Sequence, residues 1–248
     1  MSQTHLSEQE LIRREKLVKL QEAGINPYPA PLYPVTHHST DIKDHYTEET
    51  KEQFAAVCVA GRIMSINDKG KVFFIKIQDS KGIIQLYVKR DDICPGEDTA
   101  FWDNGVKHGL DLGDIIGATG YAFITKTGET SVHTQTLTLL TKSLKPLPVT
   151  KRDEEGNVFD AVTDPEFRYR QRYADLIINP DVKNVFVKRT QLINTIRDFL
   201  NAQGALEVDT PVLQAIPGGA AARPFSTHHN ALDFPFYLRT ANELSLKR

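Results

Sequence analysis

From Val57 to Leu140 the hydrophobic period is two, and no other feature restricts the fold as strongly. Five segments alternate apolar and polar residues: VCVAGRIMSI, KVFFIKIQ, GIIQLYVK, DIIGATGYAFIT and SVHTQTLTLL. Between them, NDKG, DSKG and KTGE carry hairpin turn chemistry. A longer, irregular stretch around Phe101 and Trp102 separates the third segment from the fourth. Successive side chains of a strand point to opposite faces, so each segment has one set for a core and one set left over.

Five short strands with a single long excursion after the third predict an OB-type barrel, with a small β-sandwich as the competing architecture. Phe73, Ile75 and Ile77 share one face of the second strand, and Ile84, Leu86 and Val88 share one face of the third. Burying these sets together leaves Phe74, Lys76, Gln78, Gln85 and Tyr87 on an outward surface. An aromatic ring beside amide and ammonium groups is a stacking platform with hydrogen-bonding edges, as single-stranded bases require. The alternative is that Phe74 packs under a loop or a neighbouring domain. Residues 57–147 hold 11 Lys and Arg against 10 Asp and Glu, so no general basicity supports binding.

The flanks read differently. Ser7 and Glu10 have capping-box spacing, and LIRREKLVKLQEA predicts a helix closed by Gly24. Its polar face, with Arg13, Arg14, Lys16 and Lys19, is either solvated or set against phosphates. NPYPAPLYP is a stiff connector. After Leu147, PVTKRDEEGNVFDAVTDPE is a polar, turn-rich linker, followed by FRYRQRYADLI, whose Arg168, Arg170 and Arg172 suit ion pairs or phosphates. Asn179-Pro180 opens a helix whose apolar stripe runs from Val182 through Phe186, Leu192 and Ile196 to Leu200, with Gly204 closing it. Ordinary core or the face of another subunit would cover that stripe. ALEVDTPVL reads as a short strand ended by Pro211.

Two cysteines exclude a disulfide scaffold, and no apolar run approaches the ~20 residues of a membrane span. A net charge of −2 gives no global pull toward nucleic acid or membrane. The expectation is a soluble, cytoplasmic protein. Residues 217–230, PGGAAARPFSTHHN, lack the Lys-Ser/Thr ending of a phosphate loop. His228 and His229 are adjacent and point apart in an extended chain, against a metal site. What survives is a pocket wall: Gly218-Gly219 lets a ligand approach the main chain, and Arg223 before Pro224 supplies a fixed cation. Glu243 in YLRTANELSLKR is a candidate partner for a ligand ammonium.

FRYRQRYADLI, the helix with DTPVL, and GGAAARPFSTHHNALDFPFYLRTANELSLKR resemble class II lysyl-tRNA synthetases, and the likeness reaches back through ITKTGE, IQLYVKRDD, FIKIQD and AGRI to RREKL. The helix with DTPVL is similar to motif 1, the dimer-forming element. The resemblance implies an α+β chain in which residues 1–52 form the N-terminal helix and connector and 53–147 the five-stranded OB-fold anticodon-binding domain. Residues 148–172 are then a linker, and 173–248 begin the antiparallel-sheet catalytic domain. It further implies that Phe74 stacks on an anticodon base, that Gln85 and Glu129 hydrogen-bond near the central uridine, and that Arg62 joins the anticodon contacts. Gly219 would offer its carbonyl to the α-ammonium of lysine, with Glu243 taking part. The implied partners are tRNA(Lys), lysine and ATP with Mg²⁺, in a homodimer. Asn242 and Ser245 depart from the Pro and Tyr common in the family. On this reading the chain stops at Arg248 ahead of motifs 2 and 3, so it holds no catalytic or metal residue and would not activate lysine alone. A non-catalytic tRNA-binding protein and an aspartyl- or asparaginyl-type synthetase are the alternatives.

Overall fold

The computed structural model describes residues 6–148, 151–152, 158–159, 163–218 and 222–247. It divides into two compact units, residues 1–174 and 175–248. In the first, α1 (Glu8–Glu22), α2 (Ser39–His45) and a 3-10 turn (Lys51–Phe54) precede β1 (Val57–Asp68), β2 (Val72–Gln78) and β3 (Ile83–Lys89). Then come α3 (Arg90–Ile93), a π-helical segment (Phe101–Lys107), β4 (Ile115–Ile124) and β5 (Thr130–Thr141). A two-residue ladder of β6 (Lys151–Arg152) and β7 (Val158–Phe159) follows, then α4 (Pro165–Arg170) and α5 (Arg172–Ile178), which runs into the second unit.

The five long strands close into a barrel in the order β1-β2-β3-β5-β4. All neighbours are antiparallel except β3 and β5, which run parallel. The predicted interior faces of β2 and β3 are the observed ones: Ile75, Ile77, Leu86 and Val88 are almost completely buried, and Ile116 and Val132 join them from β4 and β5. Trp102 from the excursion is also buried and meets Phe73 edge-on at 5.1 Å, so the irregular stretch belongs to the core.

Barrel closure leaves no room at Gly120, where the register of β4 against β5 shifts. A Cβ built there would lie 1.8 Å from the His133 carbonyl oxygen, which is backbone and cannot step aside. At Gly70, in the β1–β2 turn, φ is +81° and nothing lies within 4 Å, so only conformation demands glycine.

The first helix is capped as expected: Ser7 Oγ accepts from Glu10 N–H at 3.3 Å, and Ser7 N–H donates to the Glu10 carboxylate at 2.9 Å. Its polar face is not simply solvated. Arg13 is buried, and its guanidinium donates to the carbonyls of Leu112 (2.9 Å), Ser143 (3.0 Å) and Lys145 (3.4 Å). Lys16 pairs with Asp111 at 2.6 Å. The buried Lys142 ammonium reaches Asp111 (2.6 Å) and Asp114 (2.7 Å), and Asp114 also accepts from Ser143 N–H at 2.7 Å. Burial pushes the Asp114 carboxyl up despite the neighbouring ammonium.

Asp79, in the β2–β3 turn, ties that turn to the start of α2. It accepts from Ser39 N–H (2.6 Å), Ser39 Oγ (2.8 Å), Lys81 N–H (2.8 Å) and Gly82 N–H (2.8 Å). Burial alone would raise its carboxyl, but these hydrogen bonds outweigh burial and hold it below the ordinary carboxylate range.

In the second unit, α6 (Pro180–Ala202) matches the predicted helix. Among the described residues, none of its side chains is buried, and Val185, Leu192 and Phe199 are each more than 60% exposed. The expectation that ordinary core covers the stripe therefore fails within this chain. Arg197 grips Glu207 at 2.8 Å, folding the segment after the helix back along it. ALEVDTPVL is mostly irregular: only β8 (Leu213–Gln214) is strand, joined to β10 (Phe234–Leu238), which pairs with β9 (Ser226–His229). A short helix, α7 (Glu243–Leu246), follows.

Gly120→Ala is expected to cost about 3 kcal/mol or more, the upper range for overpacking without a yielding neighbour. Gly70→Ala is expected to cost about 1 kcal/mol, in line with ordinary backbone strain. Urea unfolding of the two variants separates the cases. For Asp79, the folded pKa lies below the unfolded one. Its contribution is therefore complete above the usual carboxylate pKa of about 4 and is lost as pH falls through the lower folded value. Asp79→Asn should lose about 2 kcal/mol at neutral pH and show a weaker decline in stability on acidification, measured by urea unfolding across a pH series.

Candidate nucleic-acid interface

The outward faces of β1, β2 and β3 and the β4–β5 turn converge on one pocket of about 290 Å³. It is lined by Ser65, Asn67, Phe74, Lys76, Gln85, Thr127 and Glu129. Strand register explains the gathering: Asn67 lies opposite Phe74 and Ser65 opposite Lys76 across β1–β2, while Phe74 faces Tyr87 and Lys76 faces Gln85 across β2–β3. The Phe74 ring is half-buried, with Tyr87 edge-on at 5.4 Å as a buttress. Behind Tyr87 stand Phe123 at 5.8 Å and His133 at 5.0 Å. His133 is itself held by Tyr121 Oη at 2.9 Å and Asp92 at 2.7 Å.

Glu129 reaches the pocket because the KTGE turn is tightly fixed. Gly128 takes φ +83°, Thr125 N–H donates to the Glu129 carbonyl at 3.0 Å, and Glu129 N–H donates to Thr125 Oγ1 at 3.0 Å. The Glu129 carboxylate pairs with Lys76 Nζ at 3.0 Å. An aromatic face, an amide, a carboxylate and an ammonium thus surround a cavity of about one base, a stacking surface beside directional donors and acceptors.

Of the anticodon residues suggested by the resemblance, Phe74, Gln85 and Glu129 come together, and Arg62 does not line this pocket. Arg62 Nη1 donates instead to the Gly113 carbonyl at 2.7 Å. Gln85 is also not the exposed group the alternation suggested. It is 7% exposed, because β5 lies alongside β3 and places Ser131 against it, with Gln85 Nε2 donating to Ser131 Oγ at 3.0 Å. Sequence reading missed Ser65 and Asn67. A bulge between Ile63 and Ser65 breaks the alternation along β1, so residue parity alone assigns them to the wrong side.

In the second unit, a separate groove of about 610 Å³ is lined by Pro211, Leu213, Gln214, Ala215, Ile216, Pro217, Gly218 and Ser245. The Gly218 carbonyl accepts from Thr240 Oγ1 at 2.7 Å. Gly219 lies outside the described residues. Arg223 is exposed and does not line the groove, and the exposed Glu243 carboxylate pairs with Lys247. The two departures in this region have local roles: Asn242 Oδ1 accepts from Thr210 Oγ1 at 3.0 Å, and Ser245 lines the groove. His228 pairs with Asp233 at 3.1 Å, and His229 Nδ1 accepts from Leu232 N–H at 3.2 Å. Arg170 pairs with Glu166 at 2.7 Å, and Arg172 lies over the Tyr169 ring at 5.1 Å, the first an ion pair and the second a cation–π contact.

Residues 57–140 match the OB-fold nucleic acid binding domain, and residues 164–248 match the class II tRNA synthetases of the D, K and N group. The chain thus carries an OB-fold barrel followed by the start of a class II synthetase domain. Over its whole length it is 55% identical to a protein of Porphyromonas gingivalis named lysine–tRNA ligase, covering 100% of this chain and 43% of that relative. The proteins of the same name from Christiangramia forsetii (57% identical, covering 98% of this chain and 42% of the relative) and Azobacteroides pseudotrichonymphae (55%, covering 98% and 48%) are similar in the same way. The chain spans less than half the length of these relatives.

Phe74→Ala is expected to weaken binding of single-stranded RNA by about 1–3 kcal/mol, the worth of one stacked base. The barrel should stay folded, since Ile75, not Phe74, fills its interior. Fluorescence titration with RNA hairpins and a urea melt check the two halves of this statement.

Proposed function

We propose that this chain is the anticodon-reading domain and the first part of the catalytic domain of a lysine–tRNA ligase. Its relatives carry that name along the whole aligned length, but the observation that carries the reading is the convergence of Phe74, Gln85, Glu129 and Lys76 on one base-sized pocket. The reaction would join lysine to ATP, giving lysyl-adenylate and pyrophosphate, and then move lysine to the 3′ end of tRNA(Lys). The lysine carboxylate itself attacks the α-phosphate, so the protein contributes positioning and charge stabilisation and needs no nucleophile of its own.

Within this scheme the barrel selects tRNA(Lys) by its anticodon, with Phe74 stacking and Gln85 and Glu129 reading a base edge. Arg62 would join the anticodon contacts only by leaving the Gly113 carbonyl that its Nη1 holds at 2.7 Å. Gly218, Gly219 and Arg223 belong to the turn that walls the lysine pocket, with the Gly219 carbonyl and Glu243 on the lysine ammonium. Glu243 would have to leave Lys247 to do so. The uncovered stripe of α6 suits the same helix of a second copy, making a homodimer. ATP and Mg²⁺ act in the intact enzyme. No helix of the described residues is long and apolar enough to cross a membrane, and a cytoplasmic setting suits a partner of tRNA.

Transcripts of tRNA(Lys) with altered anticodons, titrated against the chain at one fixed ionic strength, test the reading. A central uridine is expected to bind about tenfold or more tightly than its replacements, the discrimination of one well-placed base contact. Equal affinity for all transcripts would remove the base-reading role.

A further inference from the structure

We infer that Ser131 is a positioning residue that fixes which end of the Gln85 amide faces the base, and so decides whether the pocket accepts or donates at its centre. The inference rests on the base-reading role proposed above and adds a residue that does not itself line the pocket.

A glutamine amide can present an oxygen that accepts or a nitrogen that donates, and the two orientations occupy nearly the same space. The neighbours therefore decide. Ser131 is completely buried and lies beside Gln85 in the parallel β3–β5 pair, with Gln85 Nε2 3.0 Å from Ser131 Oγ. The hydroxyl has one proton, and it goes to the Glu129 carbonyl at 3.2 Å. That carbonyl also accepts from Thr125 N–H at 3.0 Å and from Thr125 Oγ1 at 3.1 Å, and the Thr125 hydroxyl has Thr127 Oγ1 as a second acceptor at 3.0 Å. With its proton on that carbonyl, Ser131 Oγ accepts, and the group facing it is Nε2.

Lys76 sits opposite Gln85 on the same face, with its ammonium on Glu129, which also lines the pocket. The two charges of that pair pull the amide in opposite senses, so the Ser131 contact is what orients it. The pocket then has an acceptor, Gln85 Oε1, near the donors of Lys76 Nζ and the second Nε2 hydrogen.

Uracil presents the complement: the N3–H donor between the O2 and O4 acceptors. Cytosine has an acceptor at N3, which would meet Oε1 lone pair to lone pair. Ser131 thus turns an ambivalent amide into a device that favours a base carrying an imino proton. Without the hydroxyl, the amide is free to turn and present nitrogen to cytosine N3.

The test uses the 248-residue chain and short RNA hairpins differing only at the central loop base: uridine, cytidine or 3-methyluridine. Wild type should prefer uridine over both others. Ser131→Ala is expected to lower the uridine-over-cytidine preference by about tenfold, the span of one directional base contact, while the affinity for uridine falls much less. A merely structural loss would weaken all three hairpins by one common factor. In a Gln85→Ala background, Ser131→Ala should change the preference no further, since the effect acts through the amide. Ser131→Thr, which keeps the hydroxyl, should restore it. An unchanged preference in Ser131→Ala, with wild type still discriminating, overturns the role of Ser131 and leaves the base-reading site standing. A wild type that binds all three hairpins alike overturns both.

Discussion

Closure of the barrel is the constraint on which the rest of the first unit depends. Strand β5 pairs with β4 along its length and, over Ser131–Thr134, also with β3. Strand β4 must meanwhile pair with β1 through Gly120, opposite Val57. The two demands meet where the register slips, and the chain passes only because Gly120 has no side chain to strike the His133 carbonyl. Closure places β5 beside β3, and Gln85 therefore meets Ser131. It also brings the β4–β5 turn over the faces of β2 and β3, so that Glu129 meets Lys76. The pocket is a consequence of closing the sheet, assembled from residues that lie far apart in sequence.

This origin explains what could be read from the sequence. Alternation in β2 and β3 separated Ile75, Ile77, Leu86 and Val88 from Phe74, Lys76 and Tyr87, since burial on one side of a strand leaves a local imprint. The capping box at Ser7 and the helix from Pro180 were legible for the same local reason. The burial of Gln85, by contrast, is imposed by the strand on its far side. Arg13 and Lys142 are charged residues inside the protein, and nothing in their neighbours announces it. Carbonyls at Leu112, Ser143 and Lys145 and carboxylates at Asp111 and Asp114 accept them, and those partners are set by the tertiary fold. The strand expected in ALEVDTPVL up to Pro211 does not form, because ladder pairing begins only at Leu213, against β10. The site residues themselves came from family resemblance. Pattern alone supplied the outward face, not the joining of Glu129 to it.

The clamp beneath the barrel shows a second division of labour. Asp114, Lys142, Asp111 and Lys16 form a chain of alternating charge that runs from the residue before β4 to α1, and Arg13 beside it satisfies three carbonyls. Such a buried cluster is a poor source of net stability, because desolvation offsets most of the attraction. Breaking it leaves an unpaired charge, however, so loss of one partner is the costly change. Hydrophobic contacts such as Leu20 supply the attraction that holds α1.

On the base-reading role proposed above, the same division governs recognition. The barrel segment is nearly neutral, so long-range attraction to a polyanion is weak, and discrimination must come from groups in contact with the base. Phe74 offers its face to any base, because every base has a π-surface. Selectivity therefore falls to the hydrogen-bonding edge, where Glu129 and Lys76 hold one another and Gln85 is held by Ser131. A long polar side chain would ordinarily lose rotamer freedom on meeting its ligand. Here that cost is met during folding, by the backbone turn that pins Glu129 and by the parallel strand that carries Ser131. A pocket prepared in this way would discriminate by mismatch: a base with the wrong edge would leave a buried acceptor facing an acceptor, a loss larger than the gain of any single correct hydrogen bond.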